Sequence, residues 1–174
     1  QQEEANQNKI KQVNELEDRI KILGGSIKEI KENEPLARII LLKKVLEELE
    51  INKTLLDKNK NTVKDISHNK ISIRFQKLID YPVKRIQNFI EDQKKQLNKK
   101  IIILYCLNEG KITIAVGITN DLVNEYDAST IVKQIGTILG GKGGGGRKDF
   151  AQGSGGSDNS KIDFSFEEIL KKID

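Results

Sequence analysis

The chain has 174 residues and a formal net charge of +4; 32% of its residues are charged and 36% are hydrophobic. This composition is typical of a soluble protein, and the length allows one sizeable core or two small ones. With one cysteine and one histidine, the sequence offers neither an internal disulfide nor a cluster of ligands for a metal ion.

No apolar stretch approaches the roughly 20 residues that a membrane-spanning helix needs, and the first four residues do not resemble a signal peptide. We therefore expect a cytoplasmic protein with no membrane partner. The chain starts with Gln1 and contains no methionine, so we expect it to be part of a longer protein.

The first sixty residues have the periodicity of helices. Apolar residues recur in steps of three and four at Ile10, Val13, Leu16, Ile20, Leu23, Ile27 and Ile30. Such a narrow stripe is typical of a helical hairpin or a coiled coil. Gly24 and Gly25 favour a break, and Pro35 favours the start of a second helix that continues to about Lys60.

This segment is balanced in charge, with twelve basic and twelve acidic residues in positions 1–60. The balance indicates a salt-bridged helical arm. We expect two domains, a helical arm over residues 1–67 that supports dimerisation and a globular domain over residues 68–174.

After the arm, the period of the apolar residues changes. Alternating residues 71–76 predict a strand, and Pro82 favours the start of a helix. The apolar run 101–107 and the alternating residues 111–119 predict two strands of a hairpin, joined by a turn at 108–110.

A helix is predicted over residues 128–139, ending at Gly140. A glycine-rich loop then continues to about Asp158, and Phe164–Ile173 predicts a terminal helix capped by Ser165. The fold class is therefore α+β, with a helical arm followed by a small mixed sheet of about three to four strands and flanking helices.

The glycine-rich segment is the most informative part of the sequence, since six of the seven residues from 140 to 146 are glycine. Glycines allow successive backbone N–H groups to converge on one anion, and interspersed cations add positive charge. We predict that phosphates are bound by Lys142, Gly143, Gly144, Gly145, Gly146, Arg147, Lys148 and Gln152. The alternative is a helix end followed by a flexible tail, which explains one or two glycines but not six.

Two nucleotide-binding motifs match this segment formally. Residues 136–142 have the spacing of an ATPase phosphate loop, but Gly143 stands where Ser or Thr must bind magnesium. The spacing G-x-G-x-x-G occurs in any polyglycine run, and both motifs join a strand to a helix, whereas this segment follows a helix. We expect no ATP, NAD or other cofactor in this chain.

Other residues with chemical potential are less distinctive. Lys94, Lys95, Lys99 and Lys100 are by default a solvated surface, but Lys99 and Lys100 could extend a phosphate-binding surface. His68 has no acidic or nucleophilic partner in the sequence, and Cys106 lies in an apolar strand. We therefore expect no catalytic residues in this chain.

The glycine-rich segment resembles the end of bacterial alanyl-tRNA synthetases, which carry a glycine-lysine-glycine stretch, then Arg and Ala-Gln before more glycines. Here this pattern lies in residues 140–156, and the resemblance extends over roughly the last hundred residues. Lys148 and Phe150 stand where Pro and Met are common in the family. The module is also called the DHH-associated domain, because a related unit ends DHH-type phosphoesterases and stand-alone alanyl-tRNA editing proteins.

The resemblance implies that the globular domain holds the outer corner of alanine tRNA, and that the arm supports a homodimer and links aminoacylation to editing. It also implies that the parent protein is an alanine–tRNA ligase whose catalytic and editing domains, with their ATP, Mg²⁺ and Zn²⁺, lie upstream. A phosphoesterase domain that grips its substrate, and a purely structural dimerisation module, remain as alternatives.

Overall fold

The computed structural model describes residues 2–173 and divides the chain into two compact units, Gln1–Leu56 and Asp57–Asp174. The first unit contains two helices, and the second contains a six-stranded mixed sheet with flanking helices. This confirms the predicted α+β class, although the sheet has six strands where three to four were expected. Within the described residues, no helix is both long and apolar enough to cross a bilayer.

The first unit consists of α1 (Gln2–Ile22) and α2 (Pro35–Leu56). Helix α2 begins at the predicted proline, which fits the first turn of a helix because its nitrogen has no hydrogen to leave unpaired. Apolar side chains of both helices and of the segment between them form a small core, which comprises Val13, Leu16, Ile20, Leu23, Ile27, Ile30, Ile39, Leu42, Val45, Leu46 and Leu49.

The two helices of this unit run in the same direction. Glu17, in α1, lies 2.8 Å from Arg38 near the start of α2, whereas a Cβ on Gly25, just past the end of α1, would clash with Leu49 near the end of α2. Contacts that advance together along both helices indicate a parallel pair, as in a parallel coiled coil. The two helices therefore do not form a hairpin. Residues 23–34 lead the chain back along α1 before α2 begins.

The sheet of the second unit contains six strands. They are β1 (Asn61–His68), β2 (Ile71–Ile79), β3 (Lys100–Asn108), β4 (Lys111–Ile118), β5 (Gly143–Gly146) and β6 (Phe150–Ser154). Their order in the sheet is β1-β2-β3-β4-β6-β5, so β1 and β5 form its two edges. Strands β2 and β3 pair in parallel, and all other pairs are antiparallel.

Helices α3 (Ile86–Lys94), α4 (Ala128–Leu139) and α5 (Ile162–Lys172) cover the two faces of this sheet. Val116 of β4 belongs to the core that includes the buried residues of α4 and α5. A side chain built on the next residue, Gly117, would clash with Ile90 of α3. Because neighbouring residues of a strand point to opposite faces, α4 and α5 lie on one face and α3 on the other.

The boundary between the units differs from the expected one, between residues 67 and 68. The structure divides the chain between Leu56 and Asp57, since all eight residues of β1 pair with β2. The side chains of β1 are mostly exposed, and its sequence lacks the apolar alternation by which a strand is recognised. The sequence pattern therefore groups residues 57–67 with the arm, whereas the structure places them in the second unit.

The terminal helix also differs from the prediction in its first turn. It begins at Ile162, after a 3₁₀ turn whose Ser160 N–H donates to the Asp158 carboxylate at 3.1 Å. Ser165 does not cap the helix. It is buried inside α5, where its hydroxyl donates to the carbonyl of Ile162 at 2.7 Å and lies 2.8 Å from the Tyr105 hydroxyl.

The glycine-rich segment forms a β-hairpin at the edge of the sheet, where a loop was expected. Residues 143–146 pair with residues 151–154 of β6, and the Arg147 N–H donates to the carbonyl of Phe150 at 2.8 Å to close the turn. The alternative of a flexible tail is therefore wrong, because both strands belong to the sheet.

Glycine at two positions allows the backbones of β5 and β6 to approach each other closely and α4 to pack against them. A side chain on Gly144 would clash with the Cα of its partner Gly153, and a Cβ on Gly153 would lie 2.9 Å from Val132 of α4. A Cβ on Gly145, by contrast, would meet nothing closer than the Ser129 hydroxyl at 3.9 Å. The packing of the hairpin thus requires glycine at positions 144 and 153 but not at 145.

We predict that Gly144→Ala destabilises the second unit by roughly 1–3 kcal/mol, because backbone atoms must move to admit the methyl group. Gly145→Ala is the matched control and should cost clearly less. Urea unfolding can be followed by tyrosine fluorescence, which reports on the second unit alone, since Tyr81, Tyr105 and Tyr126 all lie in it. Equal losses of stability in both variants would contradict the close approach.

The thiol of Cys106 should be unreactive in the folded protein. It is buried in β3 and donates to the carbonyl of Tyr81 at 3.4 Å. Burial raises the pKa of this thiol to about 11, so little thiolate forms at pH 8. We expect mass spectrometry to detect no labelling by a thiol reagent in the native protein and one label after denaturation. Rapid native labelling would show that β3 is accessible.

Candidate nucleic-acid interface

The amide groups of β5 do not converge on a single point. Successive N–H groups of an extended strand point to opposite sides, so the predicted convergence on one anion is wrong. Because Arg147 and Phe150 form a hydrogen-bonded pair, the alternation of an antiparallel ladder directs the amides of Gly143 and Gly145 towards β6. Only the amides of Gly144 and Gly146 then point away from the partner strand.

The face of the hairpin that points away from α4 carries no side chains from β5, and we call this part of the backbone the strip. Ala115 of β4 and Gln152 of β6 pair in register, and β5 continues the sheet beside them with glycine alone. Ala151 belongs to the core beneath α4, and therefore the half-buried Gln152 lies on the other face of the sheet. A ligand can approach the backbone closely here because glycine has no side chain.

Two of the predicted cations flank this strip. Lys142 immediately precedes β5, and Lys148 lies in the turn between β5 and β6; both are exposed. Within residues 2–173, neither lysine makes an ion pair with a carboxylate. Their charges are therefore available to an anionic ligand.

Arg147 is different, although it is also exposed. Its Nε lies 3.1 Å from Asp149 Oδ1, and its Nη2 lies 3.8 Å from Glu91 Oε1. Two carboxylates thus already attract the guanidinium group that was predicted to contact phosphate.

Lys99 and Lys100, the two lysines predicted to extend the phosphate-binding surface, lie in different environments. Lys99 is exposed, whereas Lys100 is only 8% exposed and its Nζ lies 3.3 Å from Asp65 Oδ2. A hydrogen bond from Arg74 and the charge of Lys100 hold the pKa of Asp65 below its usual value, so this carboxylate is charged at neutral pH. Lys99 remains available to a ligand, whereas Lys100 is paired with Asp65, a carboxylate that also pairs with Arg74.

Lys99 lies at the same end of the sheet as the turn between β5 and β6. At this end, Thr119 N–H donates to the carbonyl of Lys100 at 3.1 Å, and Ile118 N–H donates to the carbonyl of Asp149 at 2.9 Å. The last residues of β4 therefore connect the start of β3 to the β5–β6 turn, and the structure brings Lys99 and Lys148 to one end of the domain.

The role of Lys94 in this region was not predicted from the sequence. A solvated side chain was the default expectation, but the Lys94 side chain is 8% exposed, and its Nζ donates to the carbonyl of Asp149 at 3.0 Å. Next to it is a polar pocket of about 280 Å³ lined by Glu91, Lys94, Lys95, Asn120 and Asp149. The i,i+3 spacing of Glu91 and Lys94 was visible in the sequence, but the contact across 55 residues was not.

Comparison with known proteins places these features in a family. The model of the DHHA1 domain matches residues 56–174. Over 112 residues the chain is 39% identical to the alanine–tRNA ligase of Rhodopseudomonas palustris, an alignment that covers 64% of this chain and 12% of that protein. The chain thus spans about one eighth of the length of this curated relative.

Solved structures share the fold. The C-Ala domain of Aquifex aeolicus alanyl-tRNA synthetase has a TM-score of 0.59 at 19% identity, and the match covers 63% of this chain and 97% of that domain. An exopolyphosphatase-related protein from Bacteroides fragilis has a TM-score of 0.50 at 11% identity, covering 88% of this chain and 47% of that one.

At these identities the two structures show similarity of fold alone. The family model, in contrast, matches well over half of the chain, and the resemblance to the end of alanyl-tRNA synthetases is confirmed by the curated relatives. The chain belongs to the DHHA1 domain family.

Proposed function

We propose that this chain is the tRNA-binding C-terminal part of an alanine–tRNA ligase, and that the β5 edge of its sheet holds the sugar-phosphate backbone of alanine tRNA. The observation that carries this proposal is the strip of bare backbone, Gly143–Gly146, flanked by Lys142 and Lys148, which are exposed and make no ion pair within residues 2–173. Similarity to curated alanine–tRNA ligases supports the choice of a tRNA as the ligand.

The chemistry of the strip favours phosphates over bases. Ammonium groups and backbone N–H groups bind phosphate oxygens, and such contacts position a nucleic acid without identifying its sequence. Selectivity would then come from the shape of the folded RNA. Aminoacylation and editing, and the ATP, Mg²⁺ and Zn²⁺ that they use, would belong to other domains of the parent protein, which the arm would connect to this one.

The number of available cations sets the expected salt dependence. Lys142, Lys148 and Lys99 are exposed at or near the strip. If each neutralises one phosphate, the logarithm of affinity should fall with the logarithm of salt concentration at a slope of about −2 to −3.

We predict that Lys142→Ala and Lys148→Ala each weaken binding of an alanine tRNA transcript and each reduce this slope by about 1, because one phosphate contact is lost. Filter binding at several salt concentrations measures both quantities. Lys64→Ala is the matched control, because Lys64 is an exposed lysine of β1 at the opposite edge of the sheet. It should change neither.

The proposal fails if the two variants at the β5 edge bind the transcript as the unaltered chain does. It also fails if short polyphosphate displaces the transcript at equal phosphate concentration, since a site selective for folded RNA should prefer the transcript. That second outcome would instead favour a domain that grips a phosphorylated substrate, as in a DHH-type phosphoesterase.

We further propose that the arm supports a homodimer. Leu36 and Ile40 are four residues apart on α2 and therefore share one helix face, yet each is 52% exposed. Ile10 of α1 is 51% exposed. Exposed apolar side chains on a charged helical unit are typical of a surface that associates with another protein, and a second copy of the arm is the partner that the family resemblance suggests.

We predict that Ile40→Lys shifts the monomer–dimer equilibrium towards the monomer, because a charged side chain is costly to bury in an apolar interface. Sedimentation equilibrium over a range of concentrations measures the shift. Ile22→Lys is the matched control, since Ile22 is 82% exposed at the end of α1, far along the helix from Ile10. A chain that stays monomeric at every concentration would exclude this role.

A further inference from the structure

We infer that two acidic residues, Glu91 and Asp149, promote the binding of RNA, because they hold the β5–β6 turn against α3. Together with Lys94 and Arg147 they form a cluster of ion pairs, which we call the turn anchor. The inference rests on the proposed function, since it concerns how the RNA-binding hairpin is positioned. It also reassigns Arg147 from contacting phosphate to positioning the turn.

Lys94 is the buried centre of the anchor. Its Nζ lies 3.4 Å from Glu91 Oε1 and 3.4 Å from Asp149 Oδ2, and it donates to the main-chain carbonyl of Asp149 at 3.0 Å. Its stem is close to the backbone of β4, since a Cβ on Gly117 would lie 3.2 Å from Lys94 Cδ. A side chain so enclosed holds one arrangement of the turn, because a buried charge without its partners would be costly.

Arg147 completes the anchor from the other side of the turn. Its guanidinium lies within 4 Å of the same two carboxylates, at 3.1 Å from Asp149 and 3.8 Å from Glu91. Burial raises the pKa of Asp149, but the charges of Lys94 and Arg147 outweigh this effect and hold that pKa below its usual value. With two cations and two carboxylates, the anchor has no net charge to offer a phosphate.

The turn anchor matters for RNA binding because the turn lies at the edge of the sheet. Strand β5 has a single neighbouring strand, β6, so ladder hydrogen bonds fix the hairpin from one side only. The exposed Lys148 lies between the two anchor residues of the turn, Arg147 and Asp149. A turn that moved freely would spread Lys148 over many positions, and ordering it on binding would reduce the affinity.

Simple electrostatics and the anchor predict opposite effects of removing an acidic charge. Asp149→Asn and Glu91→Gln each add one positive charge beside the site, which should strengthen RNA binding if the carboxylates merely repel phosphates. If they hold the turn, affinity should fall by roughly fivefold to tenfold. The salt slope should stay unchanged, because no phosphate contact is removed.

The matched control is Asp92→Asn. Asp92 is an exposed neighbour on α3 whose carboxylate lies 3.7 Å from the exposed Lys95, outside the anchor. The substitution adds the same charge on the same helix, so affinity for the tRNA transcript should be unchanged or slightly higher.

The test combines filter binding of the alanine tRNA transcript with amide hydrogen exchange of residues 143–154 in the free chain. We expect Asp149→Asn and Glu91→Gln to accelerate exchange and weaken binding, while Asp92→Asn does neither. Arg147→Lys keeps the charge but loses the fork between two carboxylates, and should resemble Asp149→Asn in both measurements.

Tighter binding by the Asn and Gln variants, or unchanged exchange in residues 143–154, would overturn the anchor and leave the proposed function standing. Faster exchange together with no binding of the transcript by the unaltered chain would overturn the proposed function, and with it the part of the anchor in RNA binding. The two failures are therefore distinguishable.

Discussion

Close approach of two glycine backbones, at Gly144 and Gly153, is the constraint on which the functional edge of this domain depends. Neither position has room for a side chain, and because both are glycine the sheet extends one strand beyond β6 while α4 packs against it. The strand formed in this way necessarily presents bare backbone. The residues needed for packing are thus the same residues that would allow a polyanion to approach closely.

An exposed edge strand also carries a risk, because its unpaired backbone groups can pair with another chain. Lys142 and Lys148 flank β5 and have no carboxylate partner within residues 2–173. Like charges repel a second copy of this edge, whereas a phosphate backbone is attracted by them. The same two side chains therefore discourage aggregation and favour the proposed ligand.

The strongly periodic elements could be predicted from the sequence, and those created by tertiary contact could not. The apolar run in β3 and the helix that ends at Gly140 were visible because their patterns are local. Strand β1 is mostly exposed, and β5 contains only glycine, so neither carries a strand signal. The stripe of the arm indicated two packed helices but not their direction, because the same spacing serves parallel and antiparallel pairs.

The candidate site was predictable in its residue types but not in its electrostatics. A run of glycine and lysine suggests an anion, yet it cannot show whether the amides converge or alternate, and here pairing with β6 makes them alternate. With at most two outward amides in β5, the hairpin cannot rely on a ring of N–H donors. Its affinity must then depend mainly on unpaired ammonium groups, and so on the ion pairs that decide which cations are left unpaired.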